Sequence, residues 1–310
     1  MSKKIIDEVI DILEDKKYTY TMIEYPEHNR KSVDIVLNSK EPTLIRVSED
    51  KITKEEISDL KKIAVSTLTA SLVVTNEEEE DIVSVKADNV FAISPEGFKK
   101  VINGEKIFLY RTRGGIFIKI RNYILKHKRE EMGYSIGDVA KFLGVSRKAI
   151  YDYEKGDSDV SLEVAEKLID LFGDDIIGDV IWDSIKSKKE ILEEGVAEFS
   201  PENFKAKLIY KLKESGLNAL SLKLTAADLI VKDSDNNRYL VTIENKDYNK
   251  SMKKFYEAKK LASYTKSELV IIIRTSKMLK ECEDLGYKTY EENDIHSLID
   301  EIKGSNGRQG

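Results

Sequence analysis

One group of residues in the last third of the chain has the types and spacing for metal chemistry. Asp228 begins a predicted strand, and Glu244 and Lys246 end the next one. Because side chains alternate between faces along a strand, residues 244 and 246 share a face and could meet Asp228. Two carboxylates can hold Mg²⁺, and a lysine can orient or activate a water. The alternative is that Glu-x-Lys at a strand end is a surface ion pair.

A second group of residues forms the basic face of a short helix. Ser135 is predicted to cap a first helix, and Gly144 to end it in the positive-φ conformation that glycine favours. Ser146 then caps a second helix, whose outward face carries Ser146, Arg147, Lys148, Tyr151 and Asp152. A helix of this size fits the major groove of DNA and presents its first residues to base edges. We expect a phosphate-binding rim upstream, formed by Lys119, Arg121, Lys126, Lys128 and Arg129.

The elements around these groups occur in a repeated order. Both ends of the chain are predicted to contain a helix, three strands, a second helix and a further strand. Val33-Asp34-Ile35-Val36 in the first lobe matches Ala227-Asp228-Leu229-Ile230-Val231 in the last. This repetition suggests an internal duplication, and the alternative is a chance resemblance of two small α/β units. Ser48 and Asp50 stand where the last lobe has Glu244 and Lys246, so the first lobe cannot perform the same chemistry.

These patterns predict a fold of duplicated α/β lobes flanking an all-α domain. The boundaries are an N-terminal α/β lobe at 1–106, a linker at 107–115, a helical DNA-binding domain at 116–175, a connecting helix and linker at 176–196, a C-terminal α/β lobe at 197–303 and a disordered tail at 304–310. Helical periodicity is expected from about Ile116.

The stretch from Ser135 to Gly156 resembles the lambda-repressor-like (Cro-type, XRE) helix-turn-helix domain. The likeness covers about Ile116–Phe172 and rests on the Gly144-Val145-Ser146 turn and on the spacing of Ser146, Ile150, Glu154 and Gly156. Such domains often have glutamine where this chain has Ile136 and a basic residue where it has Asp152. The order of domains resembles an archaeal family of HTH-type transcriptional regulatory proteins. Both flanking lobes resemble the restriction-endonuclease-like (PD-(D/E)XK) fold, whose catalytic pattern Asp228, Glu244 and Lys246 would supply.

The resemblance implies a transcriptional regulator that binds double-stranded DNA as a homodimer, without being an enzyme. The alternatives are a nuclease directed to DNA by the helix-turn-helix, with Asp228 and Glu244 as metal ligands, and a protein-interaction scaffold that does not bind DNA. We expect no cofactor, except Mg²⁺ if the nuclease is active. The net charge of −6 requires any DNA contact to be local. A single cysteine excludes an internal disulfide, and the absence of a long apolar run indicates a cytoplasmic protein without membrane partners.

Overall fold

The computed structural model describes residues 4–27, 30–38, 42–185 and 203–304. The chain divides into two compact units. Unit 1 comprises Met1–Lys17, Val47–Lys51 and Leu72–Ile185, and unit 2 comprises Tyr18–Arg46, Ile52–Ser71 and Lys186–Gly310. The predicted lobe at 1–106 therefore contributes segments to both units. Among the described residues, no helix combines the length and the apolar composition needed to cross a bilayer.

The helices are α1 (Ile5–Asp15), α2 (Lys54–Thr67), α3 (Pro95–Ile102), α4 (Asn122–Glu131), α5 (Ile136–Leu143), α6 (Arg147–Lys155), α7 (Leu162–Phe172), α8 (Phe204–Glu214), α9 (Tyr248–Thr265), α10 (Ser276–Asp284) and α11 (Ile295–Gly304). The strands are β1 (Thr19–Met22), β2 (Ile35–Asn38), β3 (Thr43–Val47), β4 (Ala70–Val74), β5 (Ile82–Ala87), β6 (Val90–Ile93), β7 (Leu109–Thr112), β8 (Gly115–Ile118), β9 (Val160–Ser161), β10 (Asn218–Ser221), β11 (Leu229–Lys232), β12 (Arg238–Ile243), β13 (Glu268–Ile273) and β14 (Thr289–Glu291).

Unit 1 combines a sheet with the helix-turn-helix. Its strands follow the order β4-β6-β5-β7-β8-β9, in which β5 pairs with β6 antiparallel and with β7 parallel. Helices α1 and α3 pack against each other. Helices α4 to α7 enclose a separate apolar core that includes Leu125, Val139, Leu143, Ile150 and Leu168.

The prediction of a linker at 107–115 is wrong. Strand β7 lies within this segment and forms a hairpin with β8, in which Tyr110 pairs with Phe117 and is buried. Arg113 and Gly114 make the turn of this hairpin, and Gly115 pairs with Thr112 as the first residue of β8, so the segment is not a flexible connector. The aromatic and β-branched run that follows favours a strand, so the first helix begins at Asn122 rather than near Ile116.

The prediction of a connecting helix at 176–196 is not met by the residues that the structure describes. Residues 174–176 and 182–184 form two short 3₁₀ turns. Gly173 has a φ of 82°, which ends α7 before them. Residues 186–196 lie outside the described residues, and so do 305–310 of the predicted tail, whereas Gly304 is the last residue of α11.

Unit 2 contains two copies of one arrangement. Strands β1, β2 and β3 form an antiparallel meander, and β10, β11 and β12 form another. Each meander is followed in the chain by a long helix, α2 or α9. In the second copy, β13 and β14 extend the sheet in parallel. We call residues 18–46 with 52–71 the first half of unit 2, and residues 203–304 the C-terminal lobe.

The two copies exchange equivalent contacts. Lys62 on α2 donates from Nζ to the carbonyl of Ser221 at 2.7 Å, and Lys260 on α9 donates to the carbonyl of Met22 at 3.1 Å. Met22 and Ser221 are the last residues of β1 and β10, which are matching strands.

The acids that precede these lysines by three positions also match. Asp59 accepts the Leu224 amide at 2.7 Å, and Glu257 accepts the Glu24 amide at 2.8 Å. This reciprocal pattern supports an internal duplication in which the two copies pack as pseudo-symmetric partners.

Candidate nucleic-acid interface and nuclease-like pocket

The helix-turn-helix is shaped by local signals in the sequence. The Ser135 hydroxyl accepts the Asp138 amide while the Asp138 carboxylate accepts the Ser135 amide, so α5 begins with a capping box. Gly144 ends α5 with a φ of 72°, a conformation that costs residues with a Cβ more than glycine. The Ser146 hydroxyl then accepts the Ala149 amide at 3.1 Å and caps α6. The two serine caps and the Gly144 turn therefore fix where α5 begins and ends and where α6 begins.

The first turns of α6 present the predicted contact residues to solvent. Arg147, Lys148 and Tyr151 are exposed, with 46% of Tyr151 accessible. The Lys155 ammonium lies over the Tyr151 ring, 4.5 Å from its centroid. Apolar packing on the opposite side of α6 comes from Ile150, which is buried in the helical core.

Arg147 has a defined position over the neighbouring helix. A Cβ added to Gly137 would stand 3.1 Å from the Arg147 Nε, so the guanidinium lies directly against the first turn of α5. The positive charge of Arg147 also contributes to lowering the pKa of Asp138, after the larger effect of the Ser135 hydrogen bonds. Glycine at 137 therefore leaves the space that Arg147 occupies.

A buried ion pair connects α4 to α6. Arg129 forms a two-point pair with Glu154, including an Nη2–Oε2 contact of 2.9 Å. The two side chains are 9% and 5% exposed. Arg129 also donates to the Tyr134 carbonyl at 3.0 Å. The pair places Glu154 in a structural role and raises the pKa of Arg129 above its ordinary range, chiefly through the hydrogen bond to Glu154.

The structure corrects part of the predicted phosphate rim. Arg129 cannot belong to it, because its guanidinium is buried against Glu154. Lys128 donates to the Phe172 carbonyl and pairs with Asp175, both at 2.7 Å. Sequence spacing could not show this, because the acidic partners Glu154 and Asp175 lie in segments that are distant in the chain.

The other rim residues differ in their exposure. Arg121 pairs with Asp183 at 3.0 Å through its Nε, so its charge is partly balanced. Lys119 is half-buried, and its backbone pairs with Phe108 and Gly178. Lys126 is exposed. Lys126 is thus exposed enough to contact phosphate as the predicted rim requires. Arg121 is less exposed and is paired with Asp183.

Ile136 replaces the polar residue expected at this position for a structural reason. Its side chain is half-buried and packs against the core of α4 to α7. A contact from α5 to a base or phosphate must therefore come from other residues. The interface that the structure exposes is consequently dominated by α6.

The C-terminal lobe contains the second candidate site, a pocket of about 180 Å³. Its lining includes Asp228 and Glu244, as the sequence predicts, together with Lys205, Lys254 and Arg274. Asp228 precedes β11 and Glu244 follows β12, and these strands are neighbours in the sheet. Strand adjacency therefore brings the two acids to one edge of the sheet.

Both carboxylates already have partners in this lobe. Asp228 accepts the Lys254 ammonium at 2.5 Å and the Ile243 amide at 2.7 Å through one oxygen. Glu244 accepts the Arg274 and Thr275 amides at 2.5 and 3.0 Å, and the Thr275 hydroxyl at 2.7 Å. Glu244 thus binds the two residues that precede α10.

The predicted lysine is not part of the pocket. Lys246 is exposed, whereas the cations that line the cavity are Lys205 on α8, Lys254 on α9 and Arg274 after β13. Burial lowers the pKa of Lys205, an effect opposed by Asp228 and reinforced by Lys254. Sequence reasoning missed these residues because they belong to three separate elements, and lysines on amphipathic helices are normally solvated.

In the first half of unit 2, the matching position is closed by an ion-pair network. The Arg46 guanidinium bridges Asp34 at 2.8 Å and Glu56 at 2.9 Å, and all of these side chains are buried. Lys31 also pairs with Asp34 at 3.0 Å. Glu56 on α2 stands where α9 has Lys254, counting back from the matching ends of the two helices.

Neither the first half of unit 2 nor the C-terminal lobe fits a resident Mg²⁺ ion. A divalent ion requires oxygen ligands whose lone pairs are available and whose charge is not already neutralised. Asp228 is paired with Lys254, both Glu244 oxygens accept hydrogen bonds, and Asp34 is paired with Arg46. Within the described residues, no group of three or more histidine, cysteine or acidic side chains has the geometry for a metal.

Comparisons with known proteins agree with the helix-turn-helix and with an α/β fold in the N-terminal part of the chain. Residues 2–107 match the model of the PD-(D/E)XK superfamily domain, and residues 125–173 match a helix-turn-helix model. The first match covers the lobe that lacks the Glu and Lys of the catalytic pattern. No solved structure matches the chain.

Similarity to archaeal proteins extends over the whole chain. A protein of Saccharolobus islandicus (strain M.14.25 / Kamchatka #1) is 95% identical, with all of both chains covered. A protein of Sulfurisphaera tokodaii is 40% identical over 94% of this chain and 97% of its own, and one of Sulfolobus acidocaldarius is 37% identical over 96% and 98%. Each bears the name "Putative HTH-type transcriptional regulatory protein". The chain therefore belongs to this archaeal family of HTH-type transcriptional regulatory proteins.

Proposed function

We propose that the protein regulates transcription by binding double-stranded DNA through α6. The observation that carries this proposal is the exposed start of α6, where Arg147, Lys148 and Tyr151 follow the Ser146 cap. The positive end of the helix dipole lies at the same place and favours phosphate. The names of the relatives and the helix-turn-helix match support this proposal. Such a role places the protein in the cytoplasm, where archaeal DNA is found.

The exposed cations have distinct expected roles. Arg147 is held against Gly137, so its planar guanidinium is partly oriented before it meets a guanine edge or a phosphate. Lys148 can bind a phosphate as a point charge. The net charge of −6 repels a duplex, so these local contacts must supply the attraction. Because each phosphate contact releases counterions from the DNA, we expect binding to weaken strongly with salt.

Electrophoretic shift assays across a salt series test this assignment. We expect Lys148→Ala to reduce the slope of log affinity against log salt by about 1, as the loss of one phosphate contact requires. Arg147→Ala should cost about 1–3 kcal/mol of binding free energy if it reads a base.

Lys100→Ala is the matched control, because Lys100 lies on α3 and is paired with Glu80 and Asp81. Equal binding by the wild type and all three variants would refute the role of α6. Failure of the wild type to shift any duplex at low salt, with a stable protein partner in a pull-down, would favour the scaffold alternative.

We further propose that the protein binds DNA as a homodimer. One helix-turn-helix reads only a short half-site, and two copies reach half-sites that are about 10 base pairs apart. Footprinting should therefore show two protected patches at that spacing, and sedimentation should show two chains per duplex. A single short footprint with one chain bound would contradict the dimer.

Finally, we propose that the nuclease-like lobes do not cleave DNA. The carboxylates of both copies are occupied by lysine, arginine or backbone amides, and Lys246 lies outside the pocket. Incubation of plasmid or branched DNA with Mg²⁺ should leave the DNA intact. Cleavage by the wild type that disappears in Asp228→Asn would establish the nuclease alternative instead.

A further inference from the structure

The pocket of the C-terminal lobe is surrounded by hydrogen-bond donors. Lys205 donates one bond at 2.5 Å to the Leu222 carbonyl, which leaves further ammonium protons to be satisfied. Arg274 uses Nε for Glu292 and Nη1 for the Glu244 carbonyl, and within the described residues its Nη2 forms no hydrogen bond. Both side chains line the cavity together with Lys254.

Three acids near the pocket balance part of the charge of these cations. Asp228 pairs with Lys254, and its second oxygen lies 3.9 Å from the Lys205 Nζ. Glu244 directs both oxygens to the start of α10, and Glu292 pairs with Arg274 outside the lining. The spare donors of Lys205 and Arg274 thus lie at the cavity beside one Asp228 oxygen that accepts no hydrogen bond from the described residues.

The fold adds a further positive contribution. Asn203, Phe204 and Lys205, which line the pocket, are the N-cap and first residues of α8. The amino end of an 11-residue helix carries a partial positive charge that favours anions. Phe204 also lies beneath the Arg274 guanidinium at 5.5 Å, which restrains that side chain.

The volume of the cavity limits the size of the group that can enter it. At about 180 Å³ it holds roughly six waters, counting about 30 Å³ for each. Sites for drug-sized ligands begin at about 300 Å³. The part of a ligand that enters this cavity is therefore about the size of one oxyanion group.

We propose that this pocket binds a small phosphate-bearing anion in the place where a nuclease of this fold would hold its metal. Lys205, Lys254 and Arg274 surround a tetrahedral oxyanion from three elements, α8, α9 and the turn after β13. The first half of unit 2 has no such role, because Arg46 there neutralises both Asp34 and Glu56. The proposal is independent of DNA binding by α6.

Calorimetric titration of the full chain with inorganic phosphate, at constant ionic strength, tests the proposal. We expect saturable binding of one phosphate per chain, and weaker binding of acetate. Lys205→Gln should reduce the affinity for phosphate at least tenfold. Lys207→Gln, an exposed lysine on the same helix, should leave the affinity unchanged.

Asp228→Asn distinguishes an anion site from a metal site by the sign of its effect. Removing the negative charge should tighten phosphate binding several-fold, whereas a metal site would lose affinity for Mg²⁺. No heat with phosphate, equal affinity in wild type and Lys205→Gln, binding of acetate as tight as phosphate, or Mg²⁺ binding that is lost in Asp228→Asn would each overturn the proposal. Asp228→Asn also remains informative if Lys205→Gln does not fold.

Discussion

At the residue scale, Glu154 shows that a residue of the helix-turn-helix sequence pattern can have a purely structural role. It belongs to the pattern by which the helix-turn-helix is found in the sequence, yet its carboxylate is buried against Arg129 rather than directed at DNA. A charge that loses its only buried partner is strongly destabilising, because the remaining charge is cut off from water. The pair therefore stabilises the domain that presents α6.

We predict that Glu154→Gln lowers the free energy of unfolding of the helix-turn-helix by about 3 kcal/mol, the lower end of the range for breaking a buried pair. Urea unfolding followed by circular dichroism measures this loss. Glu163→Gln is the control, because Glu163 forms an exposed pair with Lys167 on α7 and should change stability by about 0.5 kcal/mol or less. Similar losses of stability in both variants would contradict a stabilising role of the buried Arg129–Glu154 pair.

At the element scale, the contact between α5 and α6 orients the contact residues. Gly137 lies inside α5, where alanine would normally be the better helix former. Glycine is present here although it disfavours the helix. The structure shows the Arg147 guanidinium in the space that a Cβ at this position would need. The glycine is therefore explained by α6 rather than by α5.

We predict that Gly137→Ala weakens DNA binding while raising stability by about 0.5–1 kcal/mol, because alanine favours the helix but displaces Arg147. Shift assays and urea unfolding on the same variant measure the two effects. In the Arg147→Ala background, Gly137→Ala should have no further effect on binding. An additive loss in the double variant would place the effect of Gly137 elsewhere.

At the scale of the whole molecule, the duplicated copies in unit 2 are joined by buried polar contacts. The Asp59 carboxylate accepts the amides of Lys223 and Leu224 at 2.9 and 2.7 Å and the Ser32 hydroxyl at 3.3 Å. Burial raises the pKa of Asp59, and the hydrogen bonds from Leu224 and Lys223 oppose this only in part. Ionised Asp59 is therefore less favourable in the folded state than in the unfolded chain.

This direction predicts how stability changes with pH. A raised folded pKa gives a contribution that is fully present below the unfolded value of 3.8 and is lost as pH rises through the folded pKa. Between about pH 4 and pH 7, we expect the wild type to lose stability relative to Asp59→Asn, whose side chain does not titrate. A constant difference across the range would contradict the raised pKa.

Local signals accounted for much of the fold. The Ser135 and Ser146 caps, the Gly144 turn and the matched strands at Asp34 and Asp228 all lie where the sequence predicted them. Strands β5, β6 and β7 were not predicted. These strands are only four to six residues long. The acidic residues 77–81 precede β5 and the glycines at 114 and 115 follow β7, and both stretches favour turns.

The sequence by itself determined the helix-turn-helix, because caps, turn glycine and apolar spacing act within about 20 neighbouring residues. It also placed Asp228 and Glu244 at one sheet edge, because strand order follows chain order there. Only the tertiary structure decided which charges remain available. Lys254, Arg46 and Glu154 meet their partners across separate elements, and electrostatic neutralisation depends on distance in space rather than on separation in sequence.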